Sequence, residues 1–262
     1  MSLDWRIEIA YDGGPFRGWA RQDDQRTVQG EIEHALGVVL GPDPIALTVA
    51  GRTDGGVHAL RQVASFEFGG EMPPDIVRSL NGLTPPEIAI LAVEPAPGGF
   101  DARRDAISRT YCYRVNAARP PSPLARGRAW SVTRDLDRAL LEEAARCLIG
   151  EHDFTAFTPT DTYHRRFERV VEAASWRDEG TFFRPDGDRP AGADFLQFWI
   201  TADSFMRNMV RILVGTMVEV ADGSRSIEDF RRLLDGADRS DAGQTAPPEG
   251  LYLVEVGYRP PS

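Results

Sequence analysis

The sequence predicts an α+β fold built from two fused ferredoxin-like (βαββαβ) halves, with an extended antiparallel sheet and helices on one side of it. Hydrophobic periodicity in the first part of the chain gives the order strand, helix, strand, strand, helix, strand, and the second part repeats that order at larger scale. A chain of 262 residues with 42% hydrophobic content can bury one large core or two of ordinary size. We therefore expect an N-terminal half at 1–105 and a C-terminal half at 106–262.

The elements of the first half are assigned from alternation, helical spacing and turn residues. Trp5, Ile7 and Ile9 alternate with polar or small residues, as in a strand with one buried face. Thr27 stands where a helix N-cap is expected, because apolar residues follow it at helical spacing. The predicted elements are strands at 5–11, 47–50, 62–68 and 88–93, and helices at 28–39 and from the Pro73-Pro74 pair to residue 83.

The second half is assigned in the same way from longer segments. Asp135 is expected to cap a helix with apolar positions at Leu140 and Leu148, and a long apolar helix is expected from about Ser204. Fusing the two sheets would leave one broad open face, which the loop around Asp54 and the connection at 100–128 could share. The predicted elements are strands at 110–115, 167–177, 194–201 and 251–258, and helices at 136–148, 204–220 and 227–234.

The charged residues restrict the possible chemistry. The formal net charge is −10, and all thirty basic residues are arginines, so a Schiff-base amine, a lysine general base and a Walker lysine are excluded. Between Arg103 and Arg128 seven arginines stand against one acid, Asp105. This segment is either the footprint of an anionic partner or a solvated linker, and its composition leaves both interpretations open.

Disulfide, metal and membrane classes receive no support from the sequence. Cys112 and Cys147 stand alone, and the histidines show no zinc-binding spacing with them. The chain lacks an apolar run of the about 20 residues that a membrane helix needs, and its first residues lack the apolar core of a signal peptide. We expect a soluble cytoplasmic protein with reduced thiols and no metal. The four histidines are His34, His58, His152 and His164.

The segment at 50–60 is the strongest candidate for chemistry. Asp54 stands between Arg52 and the pair Gly55-Gly56, in a loop between two predicted strands. The glycines can adopt positive φ and allow another molecule to approach the carboxylate. Arg52 is expected to keep Asp54 ionised, because a nearby opposite charge favours the charged form. Asp-Gly-Gly is also a common hairpin turn, and these residues alone do not decide between the two interpretations.

Eight segments occur in a fixed order over nearly the whole chain. They are Tyr11-Asp12-Gly13 with Phe16, Gly18 and Trp19; Thr27-Val28-Gln29-Gly30; Gly51-Arg52-Thr53-Asp54 with Gly56-Val57-His58-Ala59; Phe100-Asp101-Ala102-Arg103; Tyr111 with Tyr113; His152-Asp153-Phe154; Phe205-Met206-Arg207-Asn208-Met209-Val210-Arg211; and Gly250-Leu251-Tyr252-Leu253. In this order and spacing the sequence resembles the TruA family of transfer RNA pseudouridine synthases. Two positions depart from the family pattern: Gly55 stands where alanine is usual, and Arg61 where glycine is usual.

The resemblance implies a pseudouridine-synthase-type fold and an activity. The implied reaction is isomerisation of uridine to pseudouridine in the anticodon arm of tRNA, at family positions 38, 39 and 40, without a metal or cofactor. The implied assembly is a homodimer in which the tRNA contacts both subunits. In this pattern Asp54 is the catalytic acid, Tyr111 stacks against the extruded base, and Arg211 pairs with the aspartate. Whether Asp54 acts as a nucleophile or as a base on the sugar stays open.

Physical arguments support a role for Arg211 and suggest one for Arg52. Arg211 lies in an otherwise apolar helix, where an unpaired charge is expensive to bury, so a carboxylate partner is expected. Arg52 would contact the phosphate backbone or fill the space of the flipped nucleotide, whose extrusion costs a few kcal/mol. Leu251 is expected to line the uracil pocket, and His58 is left without a role. The arginines predicted to bind phosphates are Arg103, Arg104, Arg109 and Arg114.

Two other functions are weighed against this enzyme. The first is a non-catalytic RNA-binding protein on tandem ferredoxin-like domains, but the run at 61–68 fits the paired-aromatic pattern of RNA-recognition modules poorly. The second is phosphoryl transfer through an aspartyl-phosphate at Asp54. That chemistry needs an acidic metal cluster and a cation to hold the phosphate, and the sequence offers neither the cluster nor a lysine. Pseudouridine formation is therefore the favoured function.

Overall fold

The protein is described from a computed structural model that covers residues 3–41, 44–162, 165–179 and 195–259. The chain is α+β, which confirms the predicted class. Within those ranges no helix is both long enough and apolar enough to cross a membrane. Two residues used in the sequence analysis, His164 and Asp194, lie outside the described residues.

The helices and strands are named here in chain order. The helices are α1 (Val28–Leu40), α2 (Ile76–Leu83), α3 (Arg138–Cys147), α4 (Met209–Ala221) and α5 (Ile227–Arg232). The strands are β1 (Leu3–Tyr11), β2 (Thr48–Val49), β3 (His58–Phe68), β4 (Ile88–Pro95), β5 (Ala106–Asn116), β6 (Trp130–Ser131), β7 (Gly150–Asp153), β8 (Glu168–Asp178), β9 (Phe195–Ala202) and β10 (Leu251–Tyr258).

The chain forms two compact units. The first comprises Met1–Ser108 with Tyr252–Ser262, and the second comprises Arg109–Leu251. The division falls inside β5 and β10, so nearly all of the last strand lies with the first unit. The predicted halves at 1–105 and 106–262 stay a prediction.

In the first unit β1 is the central strand. It pairs antiparallel with β3 on one side and with β4 on the other, and β2 pairs antiparallel with β3. β10 pairs with β3 in parallel, with Tyr252 opposite His58 and Leu253 opposite Ala59, so the sheet is mixed and not the extended antiparallel sheet that was predicted. Parallel neighbours need a long connection, and here residues 69–250 lie between the two strands in the chain.

The core of the first unit follows the predicted alternation. Ile7 and Ile9 of β1 are fully buried, as are Ile32 and Leu36 of α1. Thr27 caps α1 as predicted, because its hydroxyl oxygen accepts a hydrogen bond from the N–H of Gly30.

The register of the first unit determines where its loops meet. Tyr11, the last residue of β1, lies opposite Ala59 near the start of β3. The loop that follows β1 and the loop that precedes β3 therefore leave the sheet at the same edge. The loop before β3 is the one that carries Asp54.

In the second unit the strand order is β5, β9, β8, β7, and each neighbouring pair is antiparallel. Tyr111 of β5 lies opposite Ile200 of β9. α4 is buried along nearly its whole length, with Arg211 and Glu219 only partly covered. That agrees with the apolar sequence from which this helix was predicted.

Two helix boundaries differ from the prediction. The cap of α3 is Asp137 and not Asp135, since the Asp137 carboxylate accepts hydrogen bonds from the N–H groups of Ala139 and Leu140 at 2.8 and 3.2 Å. Two aspartates precede the same apolar run, and spacing alone did not separate them. α4 begins at Met209 and not near Ser204, because Asn208 has a φ of 60°, which a right-handed helix cannot contain.

Candidate active site

Asp54 lies in a short turn between β2 and β3, and its side chain is half-buried. The turn is closed by a hydrogen bond from the N–H of Val57 to the carbonyl oxygen of Asp54 at 3.2 Å. Gly56 has a φ of 83°, the left-handed conformation that favours glycine. Of the two glycines expected to allow positive φ, only Gly56 uses it. Arg52, two residues before Asp54, is exposed.

The residue before Asp54 is held by a buried hydrogen-bond network. The hydroxyl groups of Tyr11 and Thr53 lie 2.7 Å apart, and both side chains are buried. The amide nitrogen of Gln62 donates to the carbonyl oxygen of Gly51 at 2.8 Å. Burial raises the pKa of Tyr11 to about 12, so its hydroxyl stays protonated across the physiological range. The loop is therefore anchored on the side that faces the core.

The loop after β1 packs against the Asp54 loop at two glycines. A Cβ on Gly13 would lie 1.9 Å from the carbonyl oxygen of Val57, and a Cβ on Gly18 would lie 3.0 Å from that of Thr53. Trp19 donates its backbone N–H to the same Thr53 oxygen at 3.0 Å. Only glycine permits these backbone approaches, which explains why the two glycine-containing motifs occur together in the sequence.

His58, the first residue of β3, contacts the loop that follows β1. Its Nδ1 accepts a hydrogen bond from the N–H of Gly13 at 3.1 Å, and Oδ1 of Asp12 lies 3.1 Å from the same nitrogen. Its ring stacks on Tyr252 of β10 with a centroid distance of 4.7 Å. The side chain is buried, so this histidine, left without a role by the sequence, joins the end of β1 to the start of β3.

The two departures from the family pattern fit their surroundings. A Cβ on Gly55 would meet Arg17 at 3.5 Å, an ordinary contact, and the φ of Gly55 lies outside the left-handed region, so alanine would also fit. Arg61 donates to Glu8 at 2.8 Å, and this hydrogen bond raises the pKa of Arg61. Neither departure requires a change in the backbone of the Asp54 loop.

In the second unit Tyr111 lies on β5 and is 8% exposed. Its ring meets Phe205 edge-on, with a centroid distance of 5.0 Å. Phe205 belongs to the segment that leads into α4, so the Tyr111 ring contacts the same segment that carries Arg211.

Arg211 is the third residue of α4 and is partly buried. Its Nε donates to the carbonyl oxygen of Ala246 at 2.7 Å, and its Nη1 donates to Oδ1 of Asn208 at 2.9 Å. The backbone N–H of Ala246 in turn donates to the carbonyl oxygen of Arg211 at 3.1 Å. The guanidinium is thus oriented by a neighbouring loop and by a residue of its own segment.

Leu251 begins β10 and is 7% exposed. Gly250 before it lies against β5, since a Cβ there would be 2.6 Å from the ring of Tyr113. The Tyr113 hydroxyl donates to the carbonyl oxygen of Pro247 at 2.8 Å. These contacts explain why a glycine precedes Leu251 and why Tyr113 accompanies Tyr111 in the sequence.

The four arginines predicted to bind phosphates have different environments. Arg103 and Arg104 are exposed on one turn, and the Arg104 side chain is 69% exposed. Arg109 is only 9% exposed and donates to the carbonyl oxygen of Asp203. Arg114 is 14% exposed and binds Glu179 with both Nε and Nη2. The first pair lies at the protein surface, although Arg104 also donates to the carbonyl oxygen of Gly99 at 2.7 Å and to Asp105 at 3.3 Å. The second pair is more deeply covered and donates to Asp203 and Glu179.

Asp101, to which the sequence assigned no role, shapes the turn that presents Arg103 and Arg104. Its Oδ1 accepts hydrogen bonds from the backbone N–H groups of both arginines at 2.8 Å. The N–H of Asp101 donates to Asp105, which lowers the pKa of the Asp105 carboxyl. This turn could have been predicted from the sequence, because an aspartate side chain often accepts a hydrogen bond from the backbone N–H two residues later.

Comparison with known proteins gives similarities over nearly the whole chain. Residues 144–259 match a family model described as tRNA pseudouridine synthase. The chain is 39% identical over 260 residues to tRNA pseudouridine synthase A of Maricaulis maris (strain MCS10), a match that covers 98% of this chain and 99% of that protein. It is 40% identical over 256 residues to the enzyme of the same name from Jannaschia sp. (strain CCS1), with 97% and 94% covered. It is 40% identical over 257 residues to that of Frankia casuarinae (strain DSM 45818 / CECT 9043 / HFP020203 / CcI3), with 97% and 89% covered.

Proposed function

The chain belongs to the tRNA pseudouridine synthase A family, and we propose that it converts uridine to pseudouridine in the anticodon arm of tRNA. As a member of this family the protein is an isomerase. The observation that carries the proposal is the identity of 39% to 40% with such enzymes over 97% to 98% of the chain. The half-buried carboxylate of Asp54, on a loop anchored by glycine contacts and buried hydrogen bonds, supports it.

Asp54 is the proposed catalytic carboxylate. In the isomerisation the C1′–N1 bond of uridine breaks, the uracil turns over, and a C1′–C5 bond forms while C5 loses a proton and N1 gains one. Asp54 attacks as a nucleophile or removes a proton from the sugar, and both routes need an ionised carboxylate. The reaction is redox-neutral, so the proposal requires no electron-transferring cofactor.

Tyr111 and Arg211 are proposed to complete the machinery. Tyr111 stacks against the extruded uracil, and Arg211 stabilises the ionised carboxylate of Asp54. Support for Arg211 comes from its donor bonds to the carbonyl oxygen of Ala246 and to Oδ1 of Asn208, which orient the guanidinium.

Substrate binding is proposed to involve further residues of the motifs. Arg52, which is exposed beside Asp54, contacts the phosphate backbone or occupies the space of the flipped nucleotide. Leu251 lines the uracil pocket. Arg103 and Arg104 bind phosphates, and their exposure supports this role. Arg109 and Arg114 were predicted to do the same, and that assignment stays a prediction.

The proposed assembly is a homodimer that holds tRNA across both subunits, acting in the cytoplasm. The proposed architecture is a duplicated ferredoxin-like unit. In the first unit the order β4, β1, β3, β2 with antiparallel neighbours supports this, since it is the arrangement expected of a βαββαβ half.

The activity is tested by incubating the protein with an unmodified tRNA transcript. Pseudouridine is then mapped by reverse-transcription stops after carbodiimide treatment. We expect new stops at uridines of the anticodon arm, and a transcript with cytidine at those positions should show none. Transcript that is bound but chemically unchanged after long incubation would favour a non-catalytic RNA-binding protein instead.

A further inference from the structure

Asn208 immediately precedes α4 and has an unusual backbone conformation. Its φ of 60° and ψ of 0° place it in the left-handed region. Among the described residues other than glycine, only Asp24 shares a positive φ. Asparagine tolerates this conformation better than most residues but still adopts it at a cost in free energy. A conformation of this kind is retained where something else in the structure depends on it.

Helix capping does not account for Asn208. Asparagine usually caps a helix by accepting a hydrogen bond from a backbone N–H of the first turn. The polar caps of three other helices, Thr27, Asp137 and Ser226, each accept such a bond. Within the described chain, the side chain of Asn208 accepts no capping bond from α4. Its carbonyl oxygen Oδ1 instead accepts from Nη1 of Arg211 at 2.9 Å.

In its left-handed conformation Asn208 accepts hydrogen bonds at both its backbone oxygen and its side-chain oxygen. The backbone oxygen of Asn208 accepts from the N–H of Ile212 at 2.9 Å, so α4 is still joined to this residue. Nε of Arg211 is held at the same time by Ala246. Two acceptors from two directions fix the plane of the guanidinium, and a planar group that must meet a carboxylate depends on that orientation.

We propose that Asn208 is a positioning residue for Arg211: its left-handed backbone turns the side-chain amide towards the guanidinium and fixes the orientation in which Arg211 serves the reaction. This inference depends on the proposed function, in which Arg211 stabilises the catalytic carboxylate. Asn208 itself touches neither the substrate nor the reacting atoms in this assignment.

The test distinguishes a loss of Arg211 orientation from a loss of protein stability. In Asn208→Gly the left-handed backbone is retained, because glycine adopts it without strain, but the acceptor for Arg211 is lost. We expect a melting temperature within about 4 °C of the wild type and a single-turnover rate of pseudouridine formation that falls by about tenfold to a hundredfold. The matched control is Asp24→Gly, which changes the other positive-φ residue and should leave the rate unchanged.

A double-mutant cycle shows whether Asn208 acts through Arg211. In the background of Arg211→Met, the further change Asn208→Gly should not lower the rate again. An additional tenfold loss in that background would overturn the inference, as would a wild-type rate in Asn208→Gly alone. A wild-type rate in Arg211→Met would overturn both this inference and the proposed role of Arg211. If Arg211→Met lowered the single-turnover rate but Asn208→Gly kept the wild-type rate, the role of Asn208 would be overturned and the proposed role of Arg211 would stand.

Discussion

The loop that carries Asp54 is held in part by hydrogen bonds between uncharged groups. Tyr11 and Thr53 share one of them at 2.7 Å, and both side chains are buried. An uncharged network of this kind fixes the backbone without adding a second charge beside the carboxylate. It also makes the loop sensitive to high pH, because ionising a buried tyrosine is unfavourable.

The first prediction concerns Tyr11 and alkaline pH. Burial raises the pKa of Tyr11 to about 12, whereas an unfolded tyrosine ionises near its model value of 10.0. Between these values the unfolded chain loses a proton that the folded chain keeps, so the free energy of unfolding falls as pH rises, by about 2–3 kcal/mol over the window. In Tyr11→Phe this fall should be smaller by about 1–1.5 kcal/mol between pH 8 and pH 11, which is roughly half of the full window, as measured by urea unfolding at pH 8, 10 and 11.

The control for this prediction is Thr53→Val. It removes the hydrogen bond but leaves Tyr11 ionisable, so it should lower stability by about 1 kcal/mol at pH 8 and keep the alkaline slope. Equal slopes for the wild type and Tyr11→Phe would show that Tyr11 does not titrate as its burial indicates.

At the scale of elements, the sequence located most strands and helices but not every boundary. Periodicity identified α4, yet it could not show that Asn208 adopts a positive φ and delays the start of the helix to Met209. The cap of α3 was assigned to Asp135, whereas the helix begins at Arg138 and Asp137 accepts the N–H groups of its first turn. Such choices depend on tertiary packing, which local patterns do not contain.

The second prediction tests the contact between the loop after β1 and the Asp54 loop. A Cβ on Gly13 would collide with the backbone of Val57, so Gly13→Ala must push the two loops apart. We expect a lower melting temperature and at least a tenfold lower kcat, in line with the about hundredfold effect that misplacing a catalytic group by 1 Å can have.

The matched control lies in α1. A Cβ on Gly37 would have no neighbour within 4 Å, so Gly37→Ala should stabilise the helix by about 1 kcal/mol and leave kcat unchanged. If Gly13→Ala had wild-type kcat and melting temperature, the close approach of the two loops would be contradicted.

The burial of the arginines near β5 could not be predicted from their spacing. Arg109 and Arg114 find acceptors at Asp203 and Glu179, which lie far away in the sequence. Arg103 and Arg104 lie on an exposed turn shaped by the nearby Asp101. A count of positive charges treats all four alike, whereas only tertiary structure separates exposed arginines from buried ones.

The third prediction follows from this difference in exposure. If Arg103 and Arg104 bind phosphates, replacing either with alanine should lower the slope of log affinity against log salt by about one. For Arg109→Ala and Arg114→Ala we expect a lower melting temperature in addition, because these side chains donate to Asp203 and Glu179, and an unchanged salt slope in either variant would contradict its predicted phosphate contact. Binding measured by filter retention at several salt concentrations distinguishes these outcomes. Equal slopes for all four variants and the wild type would contradict phosphate binding by this segment.

At the scale of the whole molecule, the net charge of −10 gave little guidance about function. The order of eight motifs along the chain was more informative, and the similarity to tRNA pseudouridine synthase A over 97% to 98% of the chain confirms the family predicted from them. The motifs identified Asp54, Tyr111 and Arg211 as candidates. They did not reveal the parallel pairing of β10 with β3, because it joins segments almost two hundred residues apart in sequence and leaves no local pattern.

The central claim is that the carboxylate of Asp54 performs the chemistry, and Asp54→Asn tests it most directly. The exchange removes the charge and keeps the size of the side chain, with Asp24→Asn, an exposed site on the same unit, as the control. We predict that Asp54→Asn keeps the wild-type melting temperature and binds tRNA, but forms no pseudouridine in single-turnover assays. Pseudouridine formation at the wild-type rate in this variant would contradict the account.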